Sequence, residues 1–357
     1  MNRRMPVYTV MHFLVDFACI FRLFSSLRPL ASGRTHWLFM IVLYNFLAFA
    51  LPALIGLVAD IVDRNYYAAA AGCALVAAGG ILLLPIEVPV ILLGVGNGLF
   101  HVGIGRQVLA DAEGRAAPPG IFICSGALGV FLGTTLGPRM LHPLDYILTA
   151  SLAVSAVLLL AGGIRDRKAA APAETEAAPK ERRKSLTFRT FLTVPALLVF
   201  VVVFLRSFYG YAVHYEWKSG FGIGLAFTLC IVAGKCLGGI AADRIGIRLT
   251  TVLSLAGSAA AVLFSADHMV WGCVSILLFN MTMPLTLTLL ASFWKDWPGF
   301  AFGTLMLALF LGGVPAYLAG TVTLPMPWLC AVSLVSMALL LAALGPGERK
   351  RKDRDAA

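Results

Sequence analysis

The chain has 357 residues, of which 59% are apolar and only 13% charged, with a mean hydropathy of +0.87. A soluble domain is about half apolar and about a quarter charged, so composition excludes the soluble classes and points to a protein of the bilayer. The formal net charge of +10 is not a nucleic-acid footprint, because the basic residues gather in one central segment and at the C-terminal end.

A hydrocarbon core of ~30 Å needs ~20 apolar residues per helix. Such stretches fall at 5–26, 36–58, 66–85, 87–108, 119–138, 142–163, 190–212, 219–242, 248–266, 270–293, 299–320 and 325–344. The expected fold is an all-α polytopic membrane protein with twelve transmembrane helices, six on each side of a polar linker. The expected units are therefore 1–163, the linker 164–189, 190–344 and a basic tail 345–357. The linker holds RDRK, an Ala/Pro/Glu stretch and KERRK, a composition that cannot pack a core and reads as a flexible or partly helical connection. No cleavable signal peptide is expected; the first helix inserts and stays. Loops on the side of both termini carry Lys and Arg over the opposite loops by about five to one. The opposite loops hold Arg28, Arg34, Arg139 and Lys218. Both ends are thus expected in the cytoplasm. Cys19, Cys73, Cys124, Cys230, Cys236, Cys273 and Cys330 all lie in apolar runs without a C-x-x-C pair, so they read as packing residues rather than disulfides or zinc ligands.

One segment punctuates the chain. Residues 234–248, GKCLGGIAADRIGIR, end an apolar run in small residues and then a charged cluster; small residues let a second membrane helix approach closely. A related run, Gly56-Leu-Val-Ala-Asp60-Ile-Val-Asp63-Arg64, occurs about half a chain earlier, which implies an internal repeat. Gly239, Asp243, Arg244, Gly246 and Arg248 resemble the signature loop of the major facilitator superfamily, G-x-x-x-D-R-x-G-x-R. The resemblance implies two six-helix bundles, each with this loop between its second and third helices. The first copy departs from the pattern at Ile61 and Asp63, so its gate is expected to matter less. Gly96, Phe100, His101 and Arg106 are in register with G-x-x-x-F-H-P-x-x-x-R of the fosmidomycin-resistance-type exporters, with Val102 in place of Pro. Gly129, Gly133, Gly137 and Pro138 resemble the Gly-Pro motif of the superfamily's antiporters, without its later glycine pair.

Ionisable groups in hydrocarbon are costly and default to functional hypotheses. They are His12, Asp16 and Arg22 in the first span, His101 and Arg106 in the fourth, Arg206 in the seventh and Lys235 in the eighth; Asn45 and Asn280 add neutral polarity. In the superfamily the first, fourth, seventh and tenth spans line the central cavity, which would place His12, Asp16, His101, Arg206 and Asn280 there. His12 and Asp16 share a helix face, and Asp16 lies ~16 Å into its helix, near mid-membrane. Asp16 and His12 are the expected proton-coupling pair, with Arg206 as counter-charge. His101, Arg206, Asn280, Asn45 and Lys235 are the expected substrate cavity. The structural alternative makes these groups mere helix-orienting contacts, with Lys235 bridging the eighth and fifth spans. Gly56, Asp60, Arg64, Gly239, Asp243, Arg244, Gly246 and Arg248 form the expected conformational gate, its aspartates facing helix N-termini of the opposite half.

No H-E-x-x-H, G-x-S-x-G, Walker A or dinucleotide fingerprint is present, so no enzyme, cofactor or metal is expected. The expectation is a monomeric, proton-coupled secondary active transporter of the bacterial cytoplasmic membrane, working by alternating access. As an antiporter it would export a small organic compound or drug, with substrate, protons and the lipid bilayer as partners. The alternatives are proton-coupled import of a small organic anion and a non-transporting sensor with the same fold.

Overall fold

The apolar stretches form helices, and no strand occurs among the described residues. The computed structural model describes residues 4–80, 84–139, 142–170, 192–320 and 322–345. Most of the expected linker and nearly all of the expected tail lie outside them. The helices are α1 (Met5–Arg22), α2 (Arg34–Asn45), α3 (Pro52–Val62), α4 (Asn65–Ala78), α5 (Glu87–Ala112), α6 (Ala117–Leu136) and α7 (His142–Ala170). After the linker come α8 (Val194–Ala212), α9 (Phe221–Ile245), α10 (Ile247–Val262), α11 (Met269–Asn280), α12 (Thr282–Phe293), α13 (Pro298–Ala319) and α14 (Met326–Leu344).

Several pairs of segments form one path. A π turn at Phe46–Ala50 joins α2 to α3, because Pro52 has no N–H to continue the ladder. Similarly α11 and α12 meet at Met281, with Pro284 in the first turn of α12. Among the described residues, ten helical paths are long and apolar enough to cross a membrane. The expected third and ninth spans are shorter helices, α4 with 14 residues and α10 with 16.

Packing follows the small residues. A Cβ at Gly72 would strike the backbone of Gly96 and Phe100, and one at Gly103 that of Asn65 and Ala69, so α4 lies backbone to backbone on α5. Gly129 and Gly133 on α6 do the same against Phe13, Phe17 and Phe21 of α1. The Gly-x-x-x-Gly run that resembled an antiporter motif is thus the α1–α6 contact. Helices α1 to α7 pack largely on one another, as α8 to α14 do, and α6–α9 and α3–α13 are the extensive contacts between the two groups.

Candidate functional site

Three ionisable side chains meet between α1 and α5. His12, Asp16 and His101 are 4%, 7% and 6% exposed. His12 Nε2 lies 3.2 Å from Asp16 Oδ2, and His101 Nε2 lies 3.6 Å from Asp16 Oδ1. The other nitrogen of each ring faces a backbone carbonyl, Phe122 O at 2.7 Å from His12 Nδ1 and Asn97 O at 2.9 Å from His101 Nδ1. A carbonyl only accepts, so both Nδ1 atoms carry hydrogen, and both Nε2 atoms are left facing one carboxylate. Two bare lone pairs against an ionised carboxylate would repel. A proton between His12 Nε2 and Asp16 Oδ2 closes the contact, whichever partner carries it. Asn97 Nδ2 donates to Asp16 Oδ1 at 3.0 Å, and Asn97 Oδ1 has no partner among the described residues.

The local fold explains the convergence. His12 and Asp16 are one turn apart on α1, Asn97 and His101 one turn apart on α5. On α6, Gly126 leaves the room: its Cβ would land on the Asp16 carboxylate and 2.7 Å from His12 Nε2. The three donor groups lie within 4.8 Å of one another, so a small cation other than a proton is a reading that an assay has to separate.

At one end of the molecule two aspartates each cap a helix from the other group. Asp60, on α3, accepts from Gly299 N at 3.0 Å and Phe300 N at 2.8 Å, at the start of α13. Asp243, on α9, accepts from Ala116 N at 2.7 Å and Ala117 N at 3.0 Å, at the start of α6. Each carboxylate satisfies N–H groups that the helix start cannot, and sits at the positive end of its macrodipole. One turn before each aspartate a glycine makes the approach possible. A Cβ on Gly56 would collide with Gly299 O, and one on Gly239 with Ala116 O.

The expectation that the first copy matters less is not what this geometry supports. Asp60 is 1% exposed and also pairs with Arg106, whose Nε lies 2.6 Å from Asp60 Oδ1. Arg106 Nη1 reaches Asp63 Oδ1 at 2.7 Å and donates to Asn65 Oδ1. Asp63 adopts the left-handed conformation, φ 54°, that the replaced glycine would supply; Gly246 has φ 87° in the second copy. Aspartate tolerates that region, so the departure from the motif keeps the turn and adds a carboxylate for Arg106. Asp243 is exposed and makes no ion pair among the described residues. Arg64, Arg244 and Arg248, expected in the gate, are also exposed; Arg64 lies over the Tyr67 ring at 5.7 Å.

The expected Asp16–Arg206 pair is not formed. Helix α8 packs mainly on α13 and α14, which turns Arg206 toward α12 and α13 while the histidines take Asp16. Arg206 is 8% exposed, with Nη2 at 2.8 Å from Met283 Sδ and Nη1 without a partner among the described residues. It lines a small cavity of about 40 Å³ together with Ile123, Val203, Thr286, Phe302 and Met306. Lys235 donates to Ile123 O at 3.3 Å, bridging α9 and α6. His101, expected in the cavity, belongs to the Asp16 cluster. Asn280 bonds its own helix at Ile276 O; Asn45 bonds Ile41 O and accepts from Tyr317 at 3.2 Å.

Sequence reading missed three partners. Asn97 sits one turn before His101, a spacing that could have flagged it. The sequence places Arg106 in the fourth span but gives no sign of its carboxylates. Arg22, 1% exposed, donates to Asp145 Oδ1 at 2.5 Å, to Thr149 Oγ1 at 2.6 Å and to Val76 O, tying α1 to α7 and α4. These pairings join distant segments, and spacing along the chain carries no signal for them.

No protein-family model matches the sequence, and no curated protein matches it either. The structure does match solved ones. The major facilitator superfamily transporter FucP in its outward conformation is 14% identical, with TM-score 0.56, covering 96% of this chain and 98% of that one. A variant of the same E. coli fucose:proton symporter is 12% identical with TM-score 0.51, covering 96% and 98%. The human organic anion transporter MFSD10 (TETRAN) is 15% identical with TM-score 0.66, covering 95% and 99%. At these identities the likeness concerns the fold, and the fold is that of major facilitator superfamily transporters over nearly the whole chain.

Proposed function

We propose that this chain is a proton-coupled secondary active transporter of a small organic compound, and not an enzyme. Its twelve transmembrane helices would form two pseudo-symmetric bundles, 1–163 and 190–344, that rock about a central site. The observation that carries the reading is the buried His12–Asp16–His101 cluster. A carboxylate shared by two imidazoles in the membrane interior is costly unless its protonation is used. The Asp60 and Asp243 contacts supply the second requirement of alternating access, a closed end whose seal consists of breakable, mutually similar contacts. With both locks made, the cavity is shut toward that end, which the charge bias of the loops assigns to the cytoplasm.

Two directions fit such a cycle. Export in exchange for protons, as in an antiporter of the bacterial inner membrane, requires that proton and substrate compete. Uptake requires that they bind together, as the name fucose:proton symporter suggests for one structural neighbour. The test is proton flux in liposomes containing the purified chain and an internal pH dye, with candidate compounds added outside and a metal chelator present throughout. Compound-dependent flux that survives the chelator is the expected result. Compound binding without flux would favour the sensor reading, and flux that the chelator abolishes would replace the proton with a metal ion.

A further inference from the structure

Two buried cations stand beside the small cavity, and neither forms a salt bridge among the described residues. Arg206 is 8% exposed and Lys235 9%. Arg206 touches a thioether sulfur, leaving Nη1 unpartnered, and Lys235 has a single carbonyl at 3.3 Å. Ile123 connects them: its side chain lines the Arg206 cavity and its carbonyl receives Lys235. Every other buried arginine described is matched, Arg22 by Asp145 and Arg106 by Asp60. Burying a cation without a counter-charge is strongly unfavourable, and burying two close together more so. A site with this charge pattern is incomplete until an anion enters it.

The rest of the lining defines the other part of the ligand. Phe302, Leu305, Met306 and Leu309 of α13, with Val203 of α8, give an apolar wall, and the Thr286 hydroxyl is turned to Met283 O of its own helix. A small inorganic anion would leave that wall in contact with water or void. An anionic head on an apolar body satisfies both sides.

We propose that the substrate is an amphipathic organic anion whose carboxylate, sulfonate or phosphonate group seats between Arg206 and Lys235, its apolar body lying against α13. This assignment rests on the transport reading for its use in a cycle, though not for binding itself. Arginine offers a planar fork to such a group and lysine a point charge. The site also fixes the sign of coupling. Around Asp16 stand His12 and Cys19 of α1, Tyr44 of α2, His101 of α5 and Lys235 of α9. On α6, Cys124 stands near Lys235, and Arg22 is held by Asp145. Of these groups Lys235 links the two sites: it donates to Ile123 O, next in the chain to the Phe122 carbonyl that receives His12 Nδ1. An ionised Asp16 offsets its charge and weakens the anion site; a proton on the cluster removes that offset. Proton and anion then bind together, and by linkage the anion draws a proton in. Such a carrier is a symporter, which selects uptake over exchange.

The experiment is a thermal-shift and calorimetric screen of the full chain in nanodiscs. The probes are aryl and alkyl carboxylates, sulfonates and phosphonates, each paired with its neutral amide or ester. Anions are expected to stabilise the protein and their neutral partners to leave it unchanged. Arg206→Gln and Lys235→Met should each weaken the best anion by about ten-fold or more, and Arg206→Lys should retain part of it. Arg115→Gln, which removes an exposed cation outside the site, should leave binding in place, and Lys235→Met still reports on the site if Arg206→Gln fails to fold. Calorimetry in buffers of differing ionisation heat should show proton uptake with the anion, lost in Asp16→Asn. No anion binding, equal binding of neutral partners, or binding unchanged in both charge variants overturns the site. Proton release overturns the coupling sign. Anion binding with no proton flux in liposomes would leave the site standing and remove the transport reading.

Discussion

The two locks are the same device in two environments. In both, an aspartate one turn after a glycine caps a helix of the other group. Asp60 does so buried and paired with Arg106, whereas Asp243 does so exposed and with backbone alone. The comparison separates what the motif supplies from what its surroundings supply. The turn, the close approach and the cap are common to both; the energetic weight comes from burial and from Arg106. A copy that departs from the family pattern is here the more strongly anchored one.

The largest expected effect strikes what the two locks share. Gly56→Ala and Gly239→Ala each put a methyl group on a facing backbone carbonyl, so each should prevent closure at its own lock. Spin labels on Arg64→Cys with Lys295→Cys report the first lock, and Arg115→Cys with Arg244→Cys the second. Both pairs use exposed positions, and unchanged distance distributions would show that the glycines do not set the approach. The next effect splits the locks apart. Asp60→Asn weakens a buried cap on α13 and leaves Asp63 as the carboxylate on Arg106, and should shift the equilibrium toward the open form by about 2 kcal/mol. Asp243→Asn removes a charge from an exposed helix terminus, about 0.3–1 kcal/mol. Equal shifts from the same label pairs would erase the asymmetry. The smallest effect tests the turn. Asp63→Gly keeps the left-handed conformation and removes an exposed carboxylate from Arg106, so about 0–1 kcal/mol is expected. A loss as large as that of Asp60→Asn would mean that Asp63, not burial, anchors Arg106.

Much of the fold was legible because the bilayer imposes it. Long apolar runs and Gly-x-x-x-Gly spacing mark helices and their close contacts, and most expected spans match a helical path within a few residues. The positions of the locks were legible in the same way, from glycine and aspartate one turn apart. Their partners were not, because Gly299 and Ala116 lie far along the chain and act through backbone N–H groups that any residue would present. The His12–Asp16–His101 cluster was half legible. The spacing of His12 and Asp16 announces a shared face, but His101 joins them only through the rotation of α5, fixed by glycines packing on α4. Arg206 was assigned to Asp16 from its charge and span number. Charge does not say which way a helix is turned, and α8 is turned toward α13.

The central claim is that the proton of the cycle resides on the Asp16 cluster, and the most direct measurement compares two modes of transport in one variant. Liposomes containing Asp16→Asn are given a labelled substrate, taken from the anions that stabilise the wild-type chain, and assayed for accumulation under an imposed pH gradient and for substrate exchange without one. Wild-type protein should perform both. Asp16→Asn should lose gradient-driven accumulation to background while keeping exchange, because the rocking motion and the Arg206–Lys235 site remain intact. If Asp16→Asn accumulates substrate with an unchanged response to the pH gradient, the cluster is a structural contact and the proton travels elsewhere.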